Sequence, residues 1–164
     1  MVRVRPGLVT VVLGAWAAAC GGPSGAPVPV PAPAVDGGGS HLHEAPHGGV
    51  LVELGEHFAH LEVVLDASTG GLTIYMLDAE AEQSIRIAQS ALSLTLEDPA
   101  LPDQVFTLAP VVSALTGETA GDSSQFAAVI AELQGAARVA GRVREIAVKG
   151  QPFHDVTFVW EPTR

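Results

Sequence analysis

Alternating apolar and polar residues on both sides of a glycine turn constrain the fold of this chain more than any other feature. In residues 57–66 the apolar side chains of one face recur at every second position, at Ala59, Leu61, Val63 and Leu65. Residues 68–71, Ser-Thr-Gly-Gly, can supply the positive φ angles of a hairpin, and residues 72–77 return as the partner strand. A period of two places alternate side chains on opposite faces, so this stretch predicts a β-hairpin.

The same period recurs through most of the remaining chain. Further strands are predicted over 49–54, 85–87, 92–96, 105–108, 138–148 and 153–160, with a weaker one at 111–115 and a bulge or break between 87 and 92. Phe126, Val129, Ile130 and Leu133 have helical spacing, which indicates either one short helix or a strand at Phe126 followed by a single helical turn. We therefore predict an all-β domain over 47–161, an antiparallel two-sheet sandwich of immunoglobulin-like architecture with at most one short helix.

The first twenty residues have the pattern of an export signal. Arg3 and Arg5 precede an apolar run over 8–19, which is short for a membrane span, and small residues lead into Cys20, the single cysteine. This arrangement resembles the lipobox of bacterial lipoproteins, although Ala17 stands where a consensus box has Leu. We expect a lipoprotein signal peptide over 1–20 and lipidation of Cys20, which would anchor the chain to a membrane facing the periplasm or cell surface. An ordinary secretory signal and an uncleaved anchor are the alternatives.

Residues 21–46 are rich in Gly, Pro and Ala, and we expect them to form an extended tether that ends in a histidine-containing arm. Without Arg3 and Arg5, six basic residues remain against eighteen acidic ones. Such an excess of negative charge repels nucleic acid, so nucleic-acid binding is excluded as a function. Solubility is the simplest explanation of the charge.

Five of the six histidines lie within residues 41–62. His60 and Glu62 are two positions apart on a strand, so their side chains share one face with Cα atoms about 7 Å apart. An arm hinged at Pro46, Gly48 and Gly49 could bring further imidazoles to them. We expect a metal site whose first-choice ligands are His47, His60 and Glu62, with His41 and His43 as additional ligands.

The other histidines are weaker candidates. His57 has the opposite parity to His60, and His154 shares a predicted face with Val156, Phe158 and Trp160, which favours the edge of the core. The alternative for the whole group is that the histidines are incidental, solvated or hydrogen-bonded to backbone.

The types of ligand available limit which metal ions the site could bind. With Cys20 lipidated no thiolate remains, and Met76 lies in an apolar strand, so Cu(I) is disfavoured. Imidazole with carboxylate suits divalent Zn, Cu, Ni or Co, with zinc or copper(II) the first choices, and binding should weaken as the pH falls through about 6.5. No catalytic motif is present, and the acidic pair Asp98 and Asp103 lies in a proline-containing loop. We therefore predict a binding protein rather than an enzyme.

Two short motifs resemble known envelope proteins. Residues 45–49, Ala-Pro-His-Gly-Gly, followed by His60-Leu61-Glu62 and by residues 72–78, Leu-Thr-Ile-Tyr-Met-Leu-Asp, are similar to a family of small planctomycete-type lipoproteins of unassigned function. A similar Pro-His-Gly-Gly segment occurs in the periplasmic adaptor subunits of heavy-metal efflux pumps. The resemblance implies an envelope lipoprotein with a metal-linked role, accessory to an efflux or envelope protein. The competing hypothesis is a structural or protein-interaction module of the envelope.

Overall fold

The structure is a computed structural model that describes residues 43–101 and 104–162 of the 164-residue chain. Cys20, His41, Asp103 and the predicted signal peptide therefore lie outside the described residues. Eight strands are present: β1 Val50–Leu54, β2 Ala59–Asp66, β3 Gly71–Leu77, β4 Leu92–Leu96, β5 Val105–Pro110, β6 Gln125–Val129, β7 Val139–Val148 and β8 Gln151–Trp160. A 3₁₀ turn, Ala131–Leu133, is the one helical segment of the described residues.

All neighbouring strands are antiparallel and form one sheet in the order β1-β2-β3-β6-β5-β4-β7-β8. β5 links the two halves, because Val105–Leu108 pairs with β4 and Ala109–Pro110 with β6. The end strands β1 and β8 approach each other, with Cα atoms within 8 Å. The sheet is therefore nearly closed and barrel-like.

The core lies on the concave side of this sheet. Every second residue of β2, β3 and β4 points inward, as the period of two predicts. The largest fully buried apolar side chains are Phe126, Leu54, Leu61, Leu72, Ile74, Met76, Leu77, Leu92, Leu94, Leu108 and Ile146. Burial of their apolar surface, at about 25 cal/mol per Å², is the main force that holds the strands together.

The prediction of an all-β antiparallel domain with at most one short helix is confirmed. A two-sheet sandwich of immunoglobulin type is not clearly formed, since the sheet is continuous through β5 and nearly closes at β1 and β8. Connectivity also differs, because the first three strands are successive hairpin neighbours, whereas immunoglobulin domains move their third strand to the second sheet.

The segment with helical spacing is a strand followed by a helical turn, which was one of the two predicted alternatives. Phe126 pairs with Ile74 of β3, and the ladder extends along Gln125–Val129. Val129 is 76% exposed, so the apolar spacing does not mark one buried helical face. Ladder hydrogen bonds to β3 outweigh local helical propensity here.

The strand predictions over 85–87 and 111–115 are wrong. Within residues 85–87 only Ile87 makes an isolated bridge, with Ser123, and no strand forms, which agrees with the predicted break before β4. Residues 111–115 form a loop in which Leu115 is fully exposed. Its apolar side chain therefore adds nothing to the core.

His154 is exposed, which corrects the prediction that it lies at the edge of the core. Asp155 has a left-handed backbone with φ +49°, and this interrupts the alternation of β8. Phe153, partner of the buried Ile146, turns toward the core instead of His154. The His154 ring faces Glu145 across the strand pair, at 3.7 Å from Nδ1 to the carboxylate.

No helix within the described residues is long and apolar enough to cross a membrane.

The loop that leads into β6 is organised by Glu118. Its carboxylate accepts the backbone N–H of Ser124 at 2.8 Å, the Ser124 hydroxyl, and the Thr116 hydroxyl at 2.6 Å. These hydrogen bonds, foremost that of the Ser124 hydroxyl, lower the pKa of Glu118 from 4.5 to about 2. The ionised carboxylate therefore stabilises the fold above the ordinary pKa, and this contribution is lost as the pH falls toward 2.

We expect Glu118→Gln to lower the free energy of unfolding at neutral pH by about 1–2 kcal/mol, because an amide accepts these hydrogen bonds less strongly than a carboxylate. The difference from wild type should shrink as the pH is lowered from 4.5 toward 2. Urea unfolding followed across this range measures it. Glu132→Gln, at an exposed position of the helical turn, is the matched control and should have little effect. An unchanged difference at low pH would contradict this account of Glu118.

Candidate functional site

The segment from His43 to Gly49, which we call the arm, folds back over the outer face of β2. A tight turn redirects it, in which the Gly48 N–H donates to the Ala45 carbonyl at 3.1 Å. Pro46 and Gly48 occupy the second and fourth positions of this turn, which suit proline and glycine, and Gly48 has φ +73°. The Pro-His-Gly-Gly motif thus encodes a reversal of direction.

The second glycine of the motif allows close contact with β2. A Cβ atom at Gly49 would lie 2.4 Å from the Val63 carbonyl oxygen and 2.8 Å from Val64 Cγ2. No other residue type fits without moving the backbone. Gly49 therefore sets how closely the arm packs on the strand.

Glu62 fastens the arm. Its carboxylate is fully buried and accepts the backbone N–H groups of His47 at 2.9 Å and Gly49 at 2.8 Å. The other oxygen lies 2.7 Å from His47 Nδ1. The His47 ring also stacks on Tyr75, with centroids 3.7 Å apart and planes 3° from parallel. We call His47, Gly49, Glu62 and Tyr75 the clasp.

The clasp also affects the titration of Tyr75. Partial burial, and then the negative charge of Glu62, raise the pKa of the Tyr75 hydroxyl above its usual value of 10.0. Tyr75 stands directly opposite Glu62 in the β2–β3 register. The phenol therefore stays neutral and serves as a flat apolar support for the imidazole.

His60 is buried on the same outer face, and its Nδ1 lies 3.1 Å from the Asp78 carbonyl oxygen. A carbonyl can only accept a hydrogen bond, so Nδ1 carries a proton, and the tautomer that this bond selects has its lone pair on Nε2. Histidines that bind metals commonly donate their other ring N–H to a backbone carbonyl in this way. The ring of His60 is thus held in a form that can coordinate through Nε2.

The His43 imidazole lies beside His60, and the His57 imidazole lies near His43. The His43 ring centroid is 4.9 Å from that of His60 and 6.1 Å from that of His57. His43 Nε2 is buried and has no hydrogen-bond partner among the described residues. Buried polar atoms are nearly always satisfied, so this nitrogen marks a place where a ligand would be favourable.

Glu53 adds a carboxylate to the group. It is the direct cross-strand partner of His60, and its Oε1 accepts the His57 N–H at 2.6 Å. This backbone hydrogen bond is the largest influence that lowers the pKa of Glu53; the charges of His57, His60 and His43 act in the same direction, against a smaller effect of desolvation. We call His43, Glu53, His57 and His60 the histidine cluster.

The predicted ligands thus fall into two groups. His47 and Glu62 bind each other in the clasp, whereas His60 and His43 meet in the histidine cluster. His41 lies outside the described residues. The sequence analysis did not identify Glu53 and ranked His57 lowest. The β1–β2 register, which pairs Glu53 with His60, could have identified Glu53.

Within residues 43–101 and 104–162, no three His, Cys, Asp or Glu side chains are arranged as they stand to hold a metal ion. The imidazoles of the histidine cluster are close, but their nitrogens do not converge. Coordination of one ion would require the rings to reorient.

The chain matches no protein-family model, no curated protein and no solved structure. The resemblance to envelope lipoproteins therefore stays a prediction, and the functional argument depends on the site itself.

Gly49→Ala should release the arm from β2, because the added methyl group overlaps the Val63 backbone. Overpacking of this kind costs about 1–3 kcal/mol. We expect the His47 and Gly49 amides to lose protection in hydrogen exchange while the β4–β7 ladder keeps its own. Gly117→Ala, at a glycine with open space around it, should leave arm protection unchanged, even though the positive φ of Gly117 disfavours alanine. Protected arm amides in Gly49→Ala would contradict the packing argument.

Proposed function

We propose that this chain is a cell-envelope lipoprotein, and not an enzyme, whose β domain binds one divalent transition metal ion at its N-terminal edge. His60 and His43 are the proposed central ligands, with His41 as an additional ligand delivered by the same segment. The observation that carries the proposal is His60, a buried imidazole whose Nδ1–H donates to the Asp78 carbonyl and whose Nε2 is left as a donor to metal.

The unpartnered nitrogen of His43 supports the same conclusion. Its ring lies against that of His60, on an arm that the clasp holds in place. A metal ion would give this buried nitrogen a partner. Without a partner, burial of a polar atom costs free energy.

Donor chemistry favours zinc or copper(II), with nickel and cobalt as alternatives. Met76 is fully buried in the core, so its thioether is not accessible to an ion at the arm. Cys20 would carry lipid in the mature protein. The ligands that remain are imidazole nitrogen and carboxylate oxygen, which suit divalent ions of intermediate softness rather than Cu(I).

The proposed anchor and location are supported by the sequence alone. Acyl chains on Cys20 would hold the protein at a membrane surface, and residues 21–42 would space the domain from it. An accessory role in metal homeostasis or efflux, beside another envelope protein, fits this position. In the same proposal the two halves of the sheet joined by β5 correspond to the two layers of the predicted sandwich, with a strand order that departs from the immunoglobulin type.

Equilibrium titration with Zn(II) tests the metal proposal. We expect saturable one-to-one binding that weakens below pH about 6.5, as imidazoles protonate. His60→Ala should weaken it at least about 10-fold to 100-fold, the loss seen even when an outer-shell partner is removed. His154→Ala, at an exposed histidine beside Glu145, is the matched control and should bind like wild type. Weak binding that neither substitution changes would favour an interaction module with incidental histidines.

Cys20→Ser should abolish incorporation of labelled fatty acid and release the protein from the membrane fraction, because the anchor is lost. Fractionation of cells that express either form measures the change. A Ser24→Ala variant in the tether is the control and should remain membrane-bound. Retention of Cys20→Ser in the membrane would indicate an uncleaved anchor instead.

A further inference from the structure

We infer that Glu53 and His57 complete the proposed metal site, and that His47 and Glu62 position the arm without binding the ion. The site would then comprise three imidazoles and one carboxylate, a set that suits Zn(II) or Cu(II). This inference rests on the proposed function and deepens it by naming the ligands.

The strand register supports Glu53. Glu53 and His60 are directly opposed on β1 and β2, and side chains of such a pair project from the same face with Cβ atoms about 4.5–5.5 Å apart. Leu54 and Ala59, the neighbouring pair, are buried in the core. Glu53 therefore lies on the same outer face as His60 and next to it.

The β1–β2 turn supports His57. His57 has φ +53°, a left-handed conformation that costs energy for a residue other than glycine, and its N–H is held by Glu53 Oε1. This conformation takes His57 out of the regular strand, so the parity argument against it no longer applies. Its ring then faces His43, and Glu53 Oε1 lies 3.6 Å from its Nδ1.

The ring spacing supports coordination of one ion. With zinc–nitrogen bonds of about 2.0–2.1 Å, the centroids of two imidazoles on one tetrahedral zinc lie about 5 Å apart. The observed separations from His43 are 4.9 Å to His60 and 6.1 Å to His57. The His43 and His60 rings therefore already have the spacing of two ligands on one ion and need only reorientation, whereas the His57 ring must also move closer to His43.

Glu62 is poorly suited to be a ligand. Its carboxylate is fully buried and already accepts two backbone N–H groups and the His47 ring nitrogen. Binding an ion there would break hydrogen bonds that hold the arm, and with it His43. The clasp instead positions His43 beside His60.

Spectroscopy of the full chain loaded with Cu(II) or Co(II) distinguishes ligands from positioning residues. We expect the Cu(II) resonance of wild type to show coupling to three nitrogens, and His57→Asn to show two, since asparagine tolerates positive φ without straining the turn. Glu53→Gln should change the Co(II) absorption spectrum and weaken Zn(II) binding about 10-fold or more. Glu56→Gln, at an exposed position of the same turn, is the matched control and should match wild type.

Glu62→Gln should weaken binding but leave both spectra unchanged at saturation, as a positioning role requires. The inference is overturned if His57→Asn and Glu53→Gln bind with wild-type affinity and spectra, or if Glu62→Gln alters the spectra. In either case loss of binding in His60→Ala would leave the proposed function standing. Absence of saturable binding in wild type would overturn both.

Discussion

A buried carboxylate, that of Glu62, is the feature on which the N-terminal edge of the domain depends. An isolated charge in this position would cost several kcal/mol, and it is tolerated because the arm supplies hydrogen-bond donors. Two of these come from the backbone of His47 and Gly49. The arm and the carboxylate therefore stabilise each other. Glu62 holds the arm against β2, and the arm shields Glu62 from solvent.

The arm gives β2 an unusual environment. Antiparallel sheets commonly bury one face and expose the other, yet β2 buries its inner face in the core and its outer face under the arm. His60 and Glu62 are consequently both buried, but their structural roles differ. Glu62 holds the arm, whereas His60 keeps a ring nitrogen directed away from its backbone partner. Order in the arm and affinity for metal should be coupled, because the clasp and the histidine cluster each include residues of the seven-residue arm.

Much of the fold could be predicted from the sequence. Alternation at Ala59, Leu61, Val63 and Leu65 identified the inner face of β2, and glycines identified the turn before β3. Prediction failed where a neighbouring strand or a local break in the alternation decided the outcome. Phe126 lies in a strand because β3 offers a free ladder edge, and His154 faces solvent because Asp155 interrupts the alternation. Closure of the sheet at β1 and β8 likewise depends on strand order, which a single sequence does not encode locally.

By itself the sequence determined the chemistry of the edge: imidazoles and carboxylates concentrated in residues 41–62, a glycine turn between them, and strand parity that placed His60 and Glu62 on one face. Only the tertiary structure decided how these groups are paired. The turn folds the arm back along β2, and the β1–β2 register brings Glu53 to His60, so His47 meets Glu62 and His43 meets His60. Periodicity specifies the direction of a side chain from its own strand, whereas partners from other segments are selected by register and packing.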